Sequence, residues 1–503
     1  MVASEKGSIP SAGTPEYVVS PARYVNGRLQ PPPGIDEKAL LRRIDLRLLP
    51  VLCLLSILAF LDRVNIANAV IFGLKEELNL NGLEYNTCLT IFFAPYILFE
   101  IPSNILLRKL GPHVWLPICM FMFGLVTFLQ GFVKNYGGIL TTRFLLGVFE
   151  SGMFPGSFYM IAMWYKREEA QTRCTFFFSS TSLAGAFGGL LASAIGLLDG
   201  KAGYRGWRWI FILEGLLTCI LSFLFYFVIT DFPEEATFLT EAERRFVRDR
   251  LRADVGDPVR ETKITPKGVL SVFKDYKIFI GGFMYFGLVA PAYGYAYFAP
   301  TIIHQFGYTA IQTQLRSVPP WAAAFVFGMT VAAISDRVRH RFLFTVIPIG
   351  ISLSGFMILL TVHDNVSIQY PALFLATMGI YSAMPVIVCW FNTNRAFPAP
   401  PLRPIMGGHH RRAVGTAWQI GFGNIGGVIA TYSFLSKDAP RYTKGYAISI
   451  AFMCLSALFC AAYFLAVSWE NKQRQQGVDK YADATEEEKK LLGDLSPDYR
   501  YFL

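Results

Sequence analysis

The chain has 503 residues, of which 53% are hydrophobic and 15% aromatic, while only 16% are charged. A soluble domain carries about 25% charged residues, so this composition excludes an ordinary soluble globular protein and points to one embedded in a membrane. The formal net charge of +10 calls for no nucleic-acid partner, because the basic residues gather in short loops, where they set membrane orientation.

Residues 1–37 come first, rich in Ser, Gly and Pro and without the apolar core of a signal peptide, and they read as a disordered cytoplasmic tail. A helix crossing a bilayer needs about 20 mainly apolar residues. Twelve segments meet that need: 48–72, 86–107, 114–133, 137–165, 174–198, 208–230, 278–302, 315–334, 342–361, 369–391, 413–436 and 446–468. The first six make a half over 38–230 and the last six a half over 277–468, followed by a cytoplasmic tail over 469–503. Between the halves, 231–276 is a cytoplasmic linker containing TEAERRFVRDRLRAD, whose charges of both signs at helical spacing predict a solvated amphipathic helix. The fold class is therefore an all-α membrane protein with twelve transmembrane helices in two six-helix halves.

Arg42, Arg43 and Arg47, then Arg108 and Lys109, Lys166, Arg167 and Arg173, Arg337, Arg339 and Arg341, Arg411 and Arg412, and Lys472 and Arg474 all fall on one side of this arrangement. The other side is poorer, with Lys201, Arg205 and Arg208 and Lys437, Arg441 and Lys444 as exceptions. The bias puts both termini in the cytoplasm. Asn365-Val366-Ser367 then lies outside and is a candidate glycan acceptor. The eight cysteines form no C-x-x-C pair and read as small core residues, with neither a metal site nor a disulfide framework.

Within the first span, FLDRVNIANA (Phe60–Ala69) places two charges and two amides in an apolar run. A charge at the bilayer centre costs about 2.5 to 3.5 kcal/mol on insertion scales, so Asp62 and Arg63 face protein or water. They lie about 100° apart around the helix and cannot neutralise each other on one face, which implies partners from other spans. The fourth span offers Arg143 and Glu150, seven residues and two turns apart on a shared face.

The halves also echo each other. Gly185, Gly188 and Gly189 follow Arg173 by 12, 15 and 16 residues, and Gly423, Gly426 and Gly427 follow Arg411 by the same distances, an offset of 238. Such spacing puts a smooth stripe on one helix face, where a neighbour can approach closely. The basic loops Arg108–Gly111 and Asp336–Arg339 repeat at an offset of 228, and the Pro-rich stretch Arg395–Ile405 is either a loop insertion or a splicing remnant that accounts for the difference. Together these favour duplication of a six-helix unit.

The strings FLDRVNIANA, FEIPSNILLRKLGP, RFLLGVFESGMFPG, MWYKREEAQTR, DFPEEATFLTEAE, PPWAAAF, SDRVRHR and IGFGNIGG, in order over about residues 38–475, resemble the anion:cation symporter family of the major facilitator superfamily, in particular its fungal allantoate permease branch. Two features depart from the pattern, the Pro-rich interruption and Arg108 where members usually carry an acid. The resemblance implies a major facilitator fold in which Arg63 and Arg143 hold an organic anion and Glu150 couples it to protons. Guanidinium suits the first task, since its planar fork takes a carboxylate bidentately and never loses its charge. A buried ion-pair network that only fixes packing is the alternative for all three.

Asp62 is read as a salt-bridge latch and Glu100 as a gate or structural partner, both with a stake in coupling, while Glu214 is read as structural. Asn65, Asn68 and Asn424 either line the pathway or hydrogen-bond between helices. Tyr293, with Tyr285, Tyr295 and Tyr297, either closes over a ring-shaped substrate or packs; His409 and His410 are read as solvated. The function implied is a fungal permease of the plasma membrane that imports a carboxylate, such as allantoate, a vitamin-like acid or a short peptide, with protons by alternating access of the halves. A non-transporting nutrient sensor, or a uniporter or exchanger, is the alternative. No cofactor is expected beyond the proton gradient as energy source, no enzyme motif such as H-E-x-x-H or G-x-S-x-G is present, and the partners expected are substrate, protons and membrane lipid, around a monomer.

Overall fold

The structure is a computed structural model and describes residues 24–25, 28–29, 31–255, 273–338, 340–363, 365–394, 408–476 and 501. The first half is built from α1 (Glu37–Ile71), α2 (Leu74–Glu77), α3 (Glu84–Thr90), α4 (Phe93–Leu110), α5 (Pro112–Gln130), α6 (Tyr136–Glu150), α7 (Met153–Trp164), α8 (Arg167–Ile195) and α9 (Gly206–Val228). Helix α10 (Glu241–Val255) lies in the linker. The second half holds α11 (Tyr276–His304), α12 (Ala310–Val338), α13 (Leu343–Thr361), α14 (Val366–Thr393), α15 (Gly408–Ser433) and α16 (Thr443–Gln475).

Among the described residues, eleven helices are long and apolar enough to cross a membrane. Two of these crossings are jointed, Glu84–Leu110 at the junction of α3 and α4 and Tyr136–Trp164 at that of α6 and α7. The remaining expected span, 413–436, is present as α15, a helix of 26 residues. Its basic first turn, Gln419, Asn424 and six glycines dilute its apolar character, so length and composition alone do not mark it. In the leading tail, Tyr24–Val25 pairs antiparallel with Arg28–Leu29, the only strand pairing among the described residues. The Pro-rich stretch Arg395–Ile405 lies outside the described residues, as do the side chains of His409 and His410.

Helix α1 starts where the Asp36 carboxylate accepts the Lys38 backbone N–H at 2.9 Å, satisfying one of the free donors of a first helical turn. The chain enters the bundle there, at what is here called the entry end. The linker helix begins with a capping box: Thr240 N donates to Glu243 Oε2 at 2.9 Å and Glu243 N to Thr240 Oγ1 at 3.3 Å. Phe246, Val247 and Arg250 form its buried face, as the amphipathic pattern predicts.

Arg250 joins Glu37 at 3.2 Å and also bonds Glu169, which ties the linker helix to the entry end of the first half. Its side chain is 3% exposed, so removing it empties a buried site and takes one cation from each of two carboxylates. Arg250→Ala is expected to lower stability by about 3 kcal/mol, read as a fall in thermal midpoint in detergent. The exposed i,i+4 pair of Glu241 and Arg245 serves as the comparison, and Glu241→Ala is expected to shift the midpoint far less. Equal effects would refute the clamp.

Across the midline, α8 packs on α12, and α3 and α4 pack on α15. In duplicated halves these are equivalent contacts, the fifth crossing of one half against the second of the other. The glycine stripes make both. A Cβ on Gly189 would run into Ser317 and Gln314 of α12, and one on Gly427 into the Phe93 ring of α4. Gly188 faces Leu61 and Asn68 of α1, and Gly426 faces Phe286 and Ala290 of α11, again the same crossing of each half. The third pair departs: Gly185 meets Trp321 of α12, whereas Gly423 meets Tyr285 of α11.

Gly427→Leu is expected to destabilise by about 1 to 3 kcal/mol through overpacking, read as a fall in thermal midpoint. Gly350→Leu, which meets open space, is expected to leave the midpoint unchanged. Equal midpoints would argue against close packing at Gly427.

Hydrogen bonds pin the halves at both ends. At the far end, Asn86 donates to the Thr431 carbonyl at 2.5 Å and the Thr90 and Thr431 hydroxyls lie 2.6 Å apart. At the entry end, Thr172 donates to Asp336 at 2.6 Å. The site lies between these two closures.

Candidate functional site

A cavity of about 60 Å³ lies between the halves, room for a few water molecules. Helix α1 presents Ser56, Ala59, Phe60 and Arg63 to it, positions at i, i+3, i+4 and i+7 that share one helical face. Tyr96 of α4, Glu150 of α6 and Phe177, Phe178 and Thr181 of α8 complete the first half's wall; the second half contributes Tyr285 and Tyr293 of α11, Tyr381 and Met384 of α14 and Asn424 of α15.

Arg63 is the cation on this wall, and it is 7% exposed. Its Nε donates to Glu150 Oε1 at 2.8 Å, its Nη2 to the same oxygen, and its Nη1 to the Tyr293 hydroxyl. The guanidinium carbon stands 4.9 Å from the Phe92 ring centre and 4.8 Å from that of Tyr96, in cation–π range. Both bonds to Glu150 fall on one oxygen, leaving Oε2 buried without a partner among the described residues. The pair therefore spans the first half and touches the second through Tyr293.

Arg143 does not line the cavity. It is fully buried, donates Nη2 to the Arg63 backbone carbonyl at 2.8 Å and lies 5.8 Å from the Phe92 ring centre, while its Nε and Nη1 have no hydrogen-bond partner among the described residues. The shared face of α6 does carry both Arg143 and Glu150 towards α1, but two turns separate them by about 10 Å along the axis, and only Glu150 reaches the opening. Of the two guanidiniums that the resemblance implied would hold an anion, Arg63 faces the cavity and Arg143 lies behind the α1 backbone.

The neighbours of Arg63 in sequence face away. Asn65 donates to Glu214 of α9 and accepts from Asn68 at 3.2 Å, so it is not on the cavity wall. Asp62, three residues before Asn65, shares that face and sits among Thr127, Thr218 and Glu214, with no cationic partner among the described residues. The salt-bridge latch assigned to Asp62 is corrected accordingly. The cost of a charge in lipid demanded a partner, and the hydroxyls of Thr127 on α5 and Thr218 on α9 supply polar surroundings instead. Glu214, read as structural, anchors the group.

Glu100 is buried on α4 away from the cavity; its Oε1 has no partner among the described residues and its other oxygen faces Gly421 of α15, across the midline. Of the four tyrosines of α11, Tyr285 and Tyr293 reach the cavity. Tyr297 stacks behind Tyr293 at 5.7 Å and Tyr295 packs edge-on against Trp321 at 5.4 Å. Arg108 is bonded to the Tyr159 hydroxyl at 3.0 Å near the entry end. Sequence reasoning passed over the aromatic wall of Phe60, Tyr96, Phe177, Phe178 and Tyr381. The signal was faint: aromatic side chains at helical spacing look the same whether they line a cavity or fill a core.

A model of the Major Facilitator Superfamily matches residues 52–431. The chain belongs to that superfamily. Its relatives carry transporter names, and it is a multi-pass membrane protein rather than an enzyme. An MFS-type transporter, cnsO of Penicillium expansum, is 33% identical over 488 residues, 93% of this chain and 91% of the relative. The high-affinity nicotinic acid transporter of Saccharomyces cerevisiae is 29% identical over 470 residues, 92% of this chain and 85% of that one. Among solved structures, the proton:xylose symporter XylE superposes with a TM-score of 0.60 at 13% identity, over 83% of this chain and 95% of its own, a likeness of fold.

Proposed function

We propose that this superfamily member imports a small organic anion, a vitamin-like ring acid, together with protons, by alternating access of its two halves. The observation that carries the reading is Arg63: a permanent cation on the wall of a central cavity, held by a carboxylate and a tyrosine hydroxyl that an incoming carboxylate can replace. An anion taking the guanidinium fork displaces Glu150. That carboxyl, left without its cation in a largely dry site, then takes up a proton, because an unpaired buried charge is costly. Glu150 thus links occupancy to proton movement. Arg143, behind Arg63, adds a second positive charge to the field of the site.

The walls favour a flat cargo. Tyr96, Tyr285, Tyr293, Phe177 and Phe178 surround the cavity, aromatic faces suit a planar ring, and Asn424 offers one donor and one acceptor from the second half. The name of the yeast nicotinic acid transporter supports the same choice. At about 60 Å³ the cavity is closed down around Arg63, so cargo enters as the halves part. The same reading places the protein in the plasma membrane as a monomer with both termini cytoplasmic.

The test is uptake into proteoliposomes of nicotinate, benzoate, allantoate and a dipeptide, each with and without an inward proton gradient, with neutral nicotinamide as comparison. Acid-stimulated uptake of a ring carboxylate over nicotinamide is expected. Preference for the neutral amide, or uptake indifferent to charge, would overturn the reading.

A further inference from the structure

At the entry end a second, open groove of about 650 Å³ runs beside the first turns of α1, lined by Asp36, Lys38, Arg42, Arg43, Leu46 and Arg47, with Phe238 as its far wall. The charges of this helix are sorted by face. Two of its acids point inward and are occupied: Glu37 meets Arg250 and Lys166, and Asp45 takes both Nε and Nη2 of Arg173, while Asp36, exposed at the end of the groove, caps the helix. The cations point outward. Arg43 bonds Glu243 with half its side chain exposed, Arg47 stands 6.0 Å from the Phe238 ring centre, and Lys38 and Arg42 are exposed with no partner among the described residues.

A ridge along the helix then changes character. Lys38, Arg42, Leu46, Pro50 and Leu54 follow one another at intervals of four, each step winding about 40° around the axis. Its first two members are cationic and its last three apolar; all are exposed, Leu46 at 68%. A free phosphate has no use for the apolar continuation. A soluble protein partner has no use for a stripe that runs into the bilayer. An anionic phospholipid matches both parts, with its phosphate and acidic headgroup among the cations and its acyl chain along Leu46, Pro50 and Leu54.

We propose that this groove is a binding site for an anionic phospholipid of the leaflet facing the entry end. The bound headgroup would also bridge α1, which carries Arg63, to the linker helix through Arg43 and Glu243.

Purified protein in mild detergent, titrated with phosphatidylserine or with phosphatidylcholine of the same chains, tests this by lipid retained on intact-protein mass spectrometry and by thermal midpoint. Glycerophosphoserine and inorganic phosphate are the soluble arms. Phosphatidylserine is expected to be retained and to raise the midpoint, with little effect from the other three. Lys38→Gln with Arg42→Gln is expected to weaken retention about fivefold for each cation removed. Lys109→Gln with Lys472→Gln, which removes two exposed cations elsewhere at the same end, is expected to leave it unchanged. Equal retention in both double variants, equal loss in both, or protection by inorganic phosphate alone would each overturn the assignment.

Discussion

Arg63→Ala is expected to reduce uptake at low substrate concentration by about 100-fold or more. Truncating one member of a buried, hydrogen-bonded charge pair costs about 2 to 5 kcal/mol, and each 1.4 kcal/mol is about a factor of ten. The loss has two parts: cargo no longer meets a guanidinium, and Glu150 is left buried beside Tyr293 without its cation. Arg63→Lys keeps the charge but not the planar fork that reaches Glu150 through both Nε and Nη2, so it is expected to recover only part of the rate. Initial rates in proteoliposomes, normalised to protein that runs as a single symmetric species, check both variants. Wild-type uptake in Arg63→Ala would return this residue to a packing role.

Glu150→Gln is expected to separate binding from coupling. The amide oxygen can still accept from Arg63, but it carries no charge to compete with an anion and no proton to exchange. Binding of the ring acid is expected to persist or tighten, while accumulation against a gradient falls to the level of passive equilibration. Counterflow between labelled and unlabelled substrate is expected to continue, since it needs the site and the movement of the halves but no net proton. Retained acid-driven accumulation in Glu150→Gln would place coupling elsewhere, and Asp62, Glu214 and Glu100, all buried acids without cationic partners among the described residues, would become the groups to vary next.

The fold was readable because its determinants are local. Apolar length gives the spans, and the repeated glycines gave contacts that the structure makes between the halves at Gly189 and Gly427. The helix least marked by apolarity, α15, is the one whose glycines and Asn424 serve the midline. Arg63 was legible for the same reason, as a charge in an apolar helix has few places to be.

What sequence could not fix was direction around the helix axis. Asp62 and Arg63 adjoin in the chain and face different neighbours, one towards α5 and α9, the other towards the cavity. A register drawn from the cavity face, Ser56, Ala59, Phe60 and Arg63, separates them, yet nothing in the chain says which face is open until α4, α8 and α11 are packed against it. Arg143 illustrates the same limit. Its spacing from Glu150 is a property of α6, but its place behind Arg63 depends on how α6 packs in the half: Gly147 lets α6 close on the start of α4, with the Phe92 carbonyl lying where a Cβ would stand.

Exchange of Glu150 for the cargo's carboxylate on Arg63 is tested most directly by counting protons on binding. Calorimetric titration of the purified protein with the ring acid, in buffers of differing ionisation enthalpy, measures it without any membrane gradient. Uptake of about one proton per anion is expected near neutral pH, falling to none in Glu150→Gln. Proton-neutral binding by the native chain, or the same proton count in both, would contradict the mechanism.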